Sequence, residues 1–346
     1  MAGVSDVGYR AIACYFGAEI AFSEMVSAKG LIYGEGKAPK YTLTENFEDE
    51  NSGLGSNKSA WLLLTEPQEK VKAVQLFGSE PKFFEMAIKS GLLDKFDIID
   101  INMGCPAPKI IRNGEGSALL ENFELAFDII KTCKQSTNKP ITVKFRKGFK
   151  SDVCEEFAKL CERAGADAIT IHGRLMKEGY GGVVDYEAIK KVKASVKIPV
   201  IGSGDVRDLE TLKRMLSCGV DGVMIGRASQ GNLEIFKLLS ESLSGKKTPM
   251  VEFVLKDDFF KDVLTEEDLE NLARDERYIK FICAKKHTQI LRKYFQDSFL
   301  VKYMRKHYLW YCSGFRSPEK KILLAKSLDI EMSLELLKQI IIENLF

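Results

Sequence analysis

The sequence predicts an α/β protein built on a TIM (β/α)8 barrel, lacking or truncated at its first strand, with a small α-helical bundle at the C-terminal end. Three observations carry this expectation. Short β-rich runs alternate with helical patterns along most of the chain, the rhythm of βα units on a parallel sheet. Nearly every run ends on a polar or reactive side chain, which is where a barrel builds its site. After about residue 246 the strand signal stops and only helical periodicity continues. Because single cores stop growing near roughly 250 to 300 residues, a chain of 346 residues divides into a barrel domain, 1–245, and a helical domain, 246–346.

The strand runs in order are "AEIAFSE" (18–24), "KAVQLFG" (72–78), "DIIDIN" (97–102), "ITVKFR" (141–146), "AITIHG" (168–173), "PVIGSG" (199–204) and "GVMIG" (222–226). Between them stand "PKFFEMAIKSGLL", "NFELAFDIIKTCKQS", "CEEFAKLCERAGA", "DYEAIKKVKASV" and "DLETLKRMLSCG", each with apolar residues at helical spacing. That gives seven strands, so the eighth belongs before residue 1. Residues 35–70 break the rhythm: polar and rich in Gly, Ser, Asn and Glu, they read as an extended surface loop with a short helix or lid segment. Three further segments are helical by period: "EEDLENLARDERYIKFICAKKHTQILRKYF", "SFLVKYMRKHYLWYCSGF" and "SLELLKQIIIENLF".

Hydrophobic content of 45% and charge of 29% are those of a globular protein and exclude disordered and membrane-spanning classes. The first residues, "MAGVSDVGYR", lack a basic stretch followed by an apolar core and cleavage site, so a cytoplasmic location is expected. The eight cysteines are scattered without a CxxC or a Cys/His cluster, which predicts neither disulfides nor a metal site. Net charge is only +2, yet from Tyr278 to Lys326 the acids are Asp297 and Glu319 alone. Such a basic stretch fits either a nucleic-acid face or a solvated helix.

The strand ends supply the candidate chemistry: Glu24, Gln75, Asn102, Lys144 with Arg146, His172 with Arg174, Ser203 with Asp205, and Arg227. The glycines of "IGSGDV" and "MIGRA" let backbone N–H groups approach a ligand at the two last strands, where barrels hold phosphate, and Arg227 can pair with it. Lys144 in mid-strand needs an anionic partner, for which the N1/O2 edge of a flavin would serve. Gln75 and His172 can bond the same ring system, although a lone histidine also reads as a satisfied core residue. Cys105 sits in a turn, "NMGCPAP". An ordinary thiol, with a pKa near ~8.5, can give the proton that an enolate needs after hydride delivery. Nothing in the sequence pairs it with a histidine as a thiolate nucleophile.

These residues resemble the tRNA-dihydrouridine synthases. "MAGVSD", "SEMVSAKGL", "AVQLFG", "DINMGCPAPKIIRNGEGSALL", "VKFRKG", "IHGR", "GSGDV", "IGRA" and "MRKHYLWYCSG" match that family in order, and the last is most like its bacterial B branch. The resemblance implies FMN on the barrel, NADPH (or NADH) as reductant and tRNA as substrate, held between barrel and helical domain by a monomeric enzyme. It implies that Cys105 protonates uracil C5 after flavin N5 gives hydride to C6. Cofactor contacts would come from Met1, Ala2, Gln75, Lys144, His172, Ser203, Gly204, Asp205, Gly226 and Arg227. Substrate contacts would come from Asn102, Arg146, Arg174, Arg305 and Lys306. The chain departs from the pattern in starting at the Met of the first motif, in Ser203 where asparagine is usual, and in "HGRLMKEGYGG" and "GNLEIF". Two other readings stay open: an FMN barrel reductase of free pyrimidines, and a tRNA-binding protein without catalysis. For Tyr303, Tyr308, Trp310 and Tyr311, core packing and RNA contact are equally open.

Overall fold

The computed structural model describes residues 1–33 and 59–345. Seven parallel strands lie side by side in chain order: β1 (Ala21–Ser27), β2 (Lys72–Phe77), β3 (Ile98–Met103), β4 (Ile141–Gly148), β5 (Ala168–Leu175), β6 (Val200–Ser203) and β7 (Gly222–Met224). Every strand is where hydrophobic patterning places it, within about three residues, a usual boundary error. Among the described residues no strand pairing joins β1 to β7, each of which pairs with its other neighbour.

The first helix, α1 (Val7–Tyr15), was not anticipated from the pattern, although its cap is plain in the sequence. Asp6 accepts the Tyr9 N–H at 3.0 Å, which satisfies one of the free donors of the first turn. Seven helices follow in the barrel region: α2 (Ala28–Tyr33), α3 (Pro81–Lys89), α4 (Pro108–Arg112), α5 (Phe123–Ser136), α6 (Cys154–Ala164), α7 (Tyr186–Ser195) and α8 (Leu209–Leu216). Caps fix their starts in the same way: Asn122, Asp185 and Asp208 each accept an N–H three residues on. Strand residues such as Ile99, Ile101, Val143, Phe145, Ile169 and Ile171 point outward and pack under these helices in one core. The alternate positions on the same strands therefore face the barrel interior.

The C-terminal helices are α9 (Ile235–Ser244), α10 (Met250–Leu255), α11 (Glu266–Arg274), α12 (Ile279–Arg292), α13 (Asp297–Tyr311), α14 (Pro318–Lys326) and α15 (Ile330–Ile342). The helical run expected from 266 to 295 breaks between α11 and α12, where Asp275 turns out of helical geometry and caps Arg277 N–H at 2.9 Å. Helix α9 buries Ile235 and Leu239 in the barrel core. A second core lies among α10 to α15, and α1 belongs to it, with Val7, Ala11, Ile12 and Phe16 in one cluster with Ile279, Ile282, Tyr311 and Phe260. Close approach of α1 to α12 depends on Gly8, where a Cβ would stand 2.5 Å from the His287 ring. Of the segment expected as a surface loop, residues 59–70 include a short 3-10 turn at Ala60–Leu63, and residues 34–58 lie outside the described residues. No described helix is long and apolar enough to cross a membrane.

Candidate active site at the mouth of the half-barrel

The interior face is polar because the inward positions of neighbouring strands carry polar side chains in register. Gln75 lies beside Asp100, Asn102 beside Lys144, and Arg146 beside His172, which in turn lies beside Ser203. Period-two alternation then brings Asp100 and Thr142 one layer below Asn102 and Lys144.

Cys105 follows directly from β3 and is partly exposed. Its turn is held from three sides. The side-chain Oδ1 of Asn102 accepts the Cys105 N–H at 2.9 Å and the Gly104 N–H at 3.2 Å. The Cys105 carbonyl accepts Ser117 N–H at 3.1 Å and Ser117 O–H at 2.9 Å. Arg146 Nε donates to the Gly104 carbonyl at 2.8 Å. Gly116 has φ +61° and its Cβ would meet the Cys105 carbonyl at 2.9 Å, so only glycine fits beneath the thiol. A rigid turn with a free thiol at a cavity edge can deliver a proton to a fixed point.

Lys144 stands half-buried on β4, in register beside Asn102. No hydrogen bond or ion pair joins it to another described residue. Desolvation lowers its ammonium from 10.5 to about 8, with Asp100 acting in opposition through space. Burial, reinforced by Lys144, Arg146 and Arg174, lowers His172 to about 2, so its imidazole is neutral at physiological pH and can accept a hydrogen bond.

The end of β6 and β7 brings Ser203, Gly204, Asp205, Gly226 and Arg227 together. Asp205 takes a left-handed φ of 50°, rare for a non-glycine residue. Two guanidinium groups hold it there: Arg174 by a bidentate bridge and Arg227 at 2.6 Å. These hydrogen bonds, Arg174 foremost, lower the Asp205 carboxyl below its ordinary value. Two cations against one carboxylate leave net positive charge for an anion. Arg174 is only 1% exposed, with its remaining donors on the carbonyls of Gly181 and Gly182. Arg146 likewise bonds the carbonyls of Leu175 and Gly179. Both arginines thus pin the loop after β5, which presents Tyr180, 61% exposed, under the Arg227 guanidinium at 4.7 Å.

The first residues close the gap between the sheet edges. A bulge in β1 around Ser23 and Glu24 aims Glu24 inward, where it accepts the Gly3 N–H. On the other edge the Met1 sulfur lies 3.7 Å from where a Cβ of Gly226 would stand, and Tyr9 O–H pairs with Ser229. Ala2 is exposed on this turn.

Helix α13 reaches the same turn from the helical side. Lys306 lies over the Tyr303 ring at 4.0 Å and near Gly3, whereas Arg305 faces away and donates to the Ser327 carbonyl at 2.6 Å. Beneath them is a buried network from opposite ends of the sequence. Asp6 meets His287 Nε2 at 2.8 Å, His307 Nε2 at 3.2 Å and Tyr303 O–H at 3.1 Å. Burial raises the Asp6 carboxyl, but His287 and His307 outweigh it and hold it well below its ordinary value. Asp6, His287 and His307 are also a metal-ligating set, their ligand atoms within 4.8 Å of one another. Ligands on a tetrahedral zinc at 2.0–2.1 Å lie about 3.3 Å apart, so the 2.8 Å contact has the length of a shared proton.

The first part of the basic stretch is largely neutralised within the protein, whereas Lys302, Arg305 and Lys306 on α13 have no acidic partner among the described residues. Lys285 pairs with Asp268, Lys286 with Asp262, Arg292 with Asp297 and Glu331, and Lys293 with Glu66. Except for Asp297 these acids come from other segments, so a local charge count overstated this part of the face. Lys302 is exposed. Tyr308 and Tyr311 are buried in the helical core, while Tyr303 and Trp310 are half-buried.

A family model for dihydrouridine synthases matches residues 1–340. The chain belongs to the dihydrouridine synthase family. Curated members share about a third of its residues over most of its length. The tRNA-dihydrouridine synthase B of Pasteurella multocida is 32% identical over 319 residues, covering 91% of this chain and 83% of that protein. The tRNA-dihydrouridine synthase B of Vibrio parahaemolyticus is 35% identical over 251 residues, 72% of this chain and 71% of that one. A probable tRNA-dihydrouridine synthase of Rickettsia conorii is 31% identical over 320 residues, 91% and 83% of the two chains. Within the family frame, Asp6, Asp100, Thr142, Ser117 and Tyr180 are site-supporting residues that sequence reasoning missed. For Asp100 and Thr142 a signal existed: each lies two residues before a recognised site residue on the same strand face.

Proposed function

We propose that the protein is a flavin-dependent oxidoreductase that reduces selected uridines of tRNA to dihydrouridine, with FMN as resident cofactor and NADPH or NADH as reductant. The observation that carries this reading is the link through Asn102 between an unpaired cation and a partly exposed thiol: Asn102 stands in register beside Lys144 and its Oδ1 accepts the Cys105 N–H. Bound flavin would supply the hydride. Lys144 would attract the electron-rich edge of the ring, with neutral His172 and the Gln75 amide completing the polar frame. Net positive charge at Arg174, Arg227 and Asp205 suits the FMN phosphate, beside the backbone of Ser203, Gly204 and Gly226. Met1 and Ala2, on the turn that spans the open sheet edges, would cover the cofactor.

On the substrate side, hydride adds at C6 of uracil and Cys105 gives its proton to C5. The C5–C6 double bond becomes single, and the thiolate left behind recovers a proton from solvent. Asn102 and the free Nη2 of Arg146 are suited to the uracil carbonyls. The target base must leave its stack to enter the cavity, and Lys302 and Lys306 on α13 would meet phosphate rather than read sequence.

The test is anaerobic incubation of the purified chain with FMN, NADPH and unmodified tRNA, followed by nucleoside mass analysis. Dihydrouridine that requires all three components is the expected result. Reoxidation of bound flavin by free pyrimidine without tRNA, or no product with any substrate, overturns the proposal.

A further inference from the structure

Asp100 is only 1% exposed, and its hydrogen bonds go to Gln75 and Thr142 rather than to Cys105. Its carboxylate begins a directed chain of hydrogen bonds. Thr142 O–H donates to Oδ1. Gln75 Nε2 donates to Oδ2 at 2.7 Å. Asn102 Nδ2 donates to Gln75 Oε1 at 2.8 Å. Asn102 Oδ1 then accepts the N–H groups of Gly104 and Cys105.

An amide side chain has an accepting end and a donating end, and its direction is set by its neighbours. Two amides in series must point the same way, or an oxygen faces an oxygen and an N–H faces an N–H. Here one end of the series is a carboxylate, which only accepts when ionised, and the other is a pair of backbone N–H groups, which only donate. The two ends agree, so each amide has one satisfied orientation.

We infer that Asp100 is a positioning residue that, through Gln75 and Asn102, fixes the turn carrying the Cys105 thiol. The inference rests on the reading of Cys105 as the proton donor, but its mechanical part does not. If Asp100 is replaced by an apolar residue, Gln75 Nε2 is buried without an acceptor and must leave its place to find one. Asn102 then loses the partner that orients it, and the Cys105 turn loses its cap. The same series binds two proposed functions into one unit, since Gln75 faces the cofactor and Asn102 the uracil. Loss of Asp100 is therefore expected to impair both.

The test compares Asp100→Leu, Gln75→Met and Thr142→Val in the full flavin-free chain, reading the rate at which iodoacetamide alkylates Cys105 by peptide mass. Asp100→Leu and Gln75→Met break the series at successive links, and each should speed alkylation about fivefold, the factor that one net hydrogen bond is worth. Thr142→Val removes the other bond to Asp100 and leaves the series whole, so it should match the parent. In the loaded enzyme, Asp100→Leu should lower kcat with little change in KM for tRNA. Parental alkylation in Asp100→Leu, or equal acceleration in Thr142→Val, overturns the inference. Should Asp100→Leu not fold, Gln75→Met decides, and a parental rate there overturns it. The alkylation outcomes do not depend on the identity of the reaction, whereas a Cys105→Ala variant that still makes dihydrouridine would overturn the proton-donor reading alone.

Discussion

Replacing Lys144 by methionine should stabilise the flavin-free protein while removing its hold on the cofactor. The ammonium is lowered from 10.5 to about 8 chiefly by desolvation. At about 1.4 kcal/mol per tenfold change, keeping it charged at pH 7 costs about 3 kcal/mol. Methionine has similar length and no charge, so that cost disappears. Part of the gain is lost at Asp100, which burial already raises to about 6 and which Lys144 helps to keep ionised. Moving that carboxyl above 7 costs about 1 kcal/mol, leaving a net gain of about 2. The sign with pH is opposite to that of an ordinary ion pair. Between about 8 and 10.5 the unfolded chain binds the Lys144 proton and the folded chain does not, so parental stability rises with pH there. Urea unfolding of parent and variant at pH 7 and pH 9.5 reads this: the variant should lead at pH 7 and its lead should shrink at pH 9.5. Its FMN affinity should fall roughly 10- to 100-fold, the worth of one charge-assisted hydrogen bond. A variant less stable than the parent at pH 7, or one that retains FMN unchanged, would refute the view that this cation is kept for the ligand.

Other outcomes follow from the same geometry. Cys105→Ala should keep bound flavin and NADPH oxidation but lose dihydrouridine formation by about 10²- to 10⁴-fold, the usual contribution of a placed acid, as measured by nucleoside mass analysis. Gly116→Ala puts a Cβ 2.9 Å from the Cys105 carbonyl at a φ of +61°; a loss of about 1–3 kcal/mol with a matching fall in kcat is expected in urea and steady-state assays. Asp6→Ala strips the cap from α1 and leaves His287 buried without its partner, so it should cost about 3–5 kcal/mol by urea unfolding, far beyond the cap alone.

The strands were legible in the sequence because a buried parallel strand is a local signal: "DIIDIN" and "AITIHG" declare themselves within six residues. The polar groups proposed for the site were legible as candidates, Cys105 and Asp205 because each follows an apolar run and Lys144 because it is a cation in mid-strand. What stayed hidden depends on pairs far apart in the chain. Lys293 reads as free cationic surface until Glu66 meets it, and Asp6 reads as a helix cap until His287 and His307 converge on it. Arg174 was legible as a site residue, but its burial under the loop after β5 was not, because that loop's carbonyls make its partners. Asp100 was visible in principle, but one carboxylate in a strand carries no sign of what lies across the pleat.

The placement of α1 in the helical core has a consequence for synthesis. The helix is made long before its main partner in the helical core, α12 at Ile279–Arg292. At about 5–20 residues per second on the ribosome, α1 waits roughly 15 seconds to a minute for its partners while the barrel between them emerges and folds. During that interval its apolar side must be sheltered by a chaperone or by transient burial against the nascent sheet. Residues 246–346 expressed alone would likewise lack the helix that fills their centre, and co-expression with a peptide spanning α1 should restore their solubility.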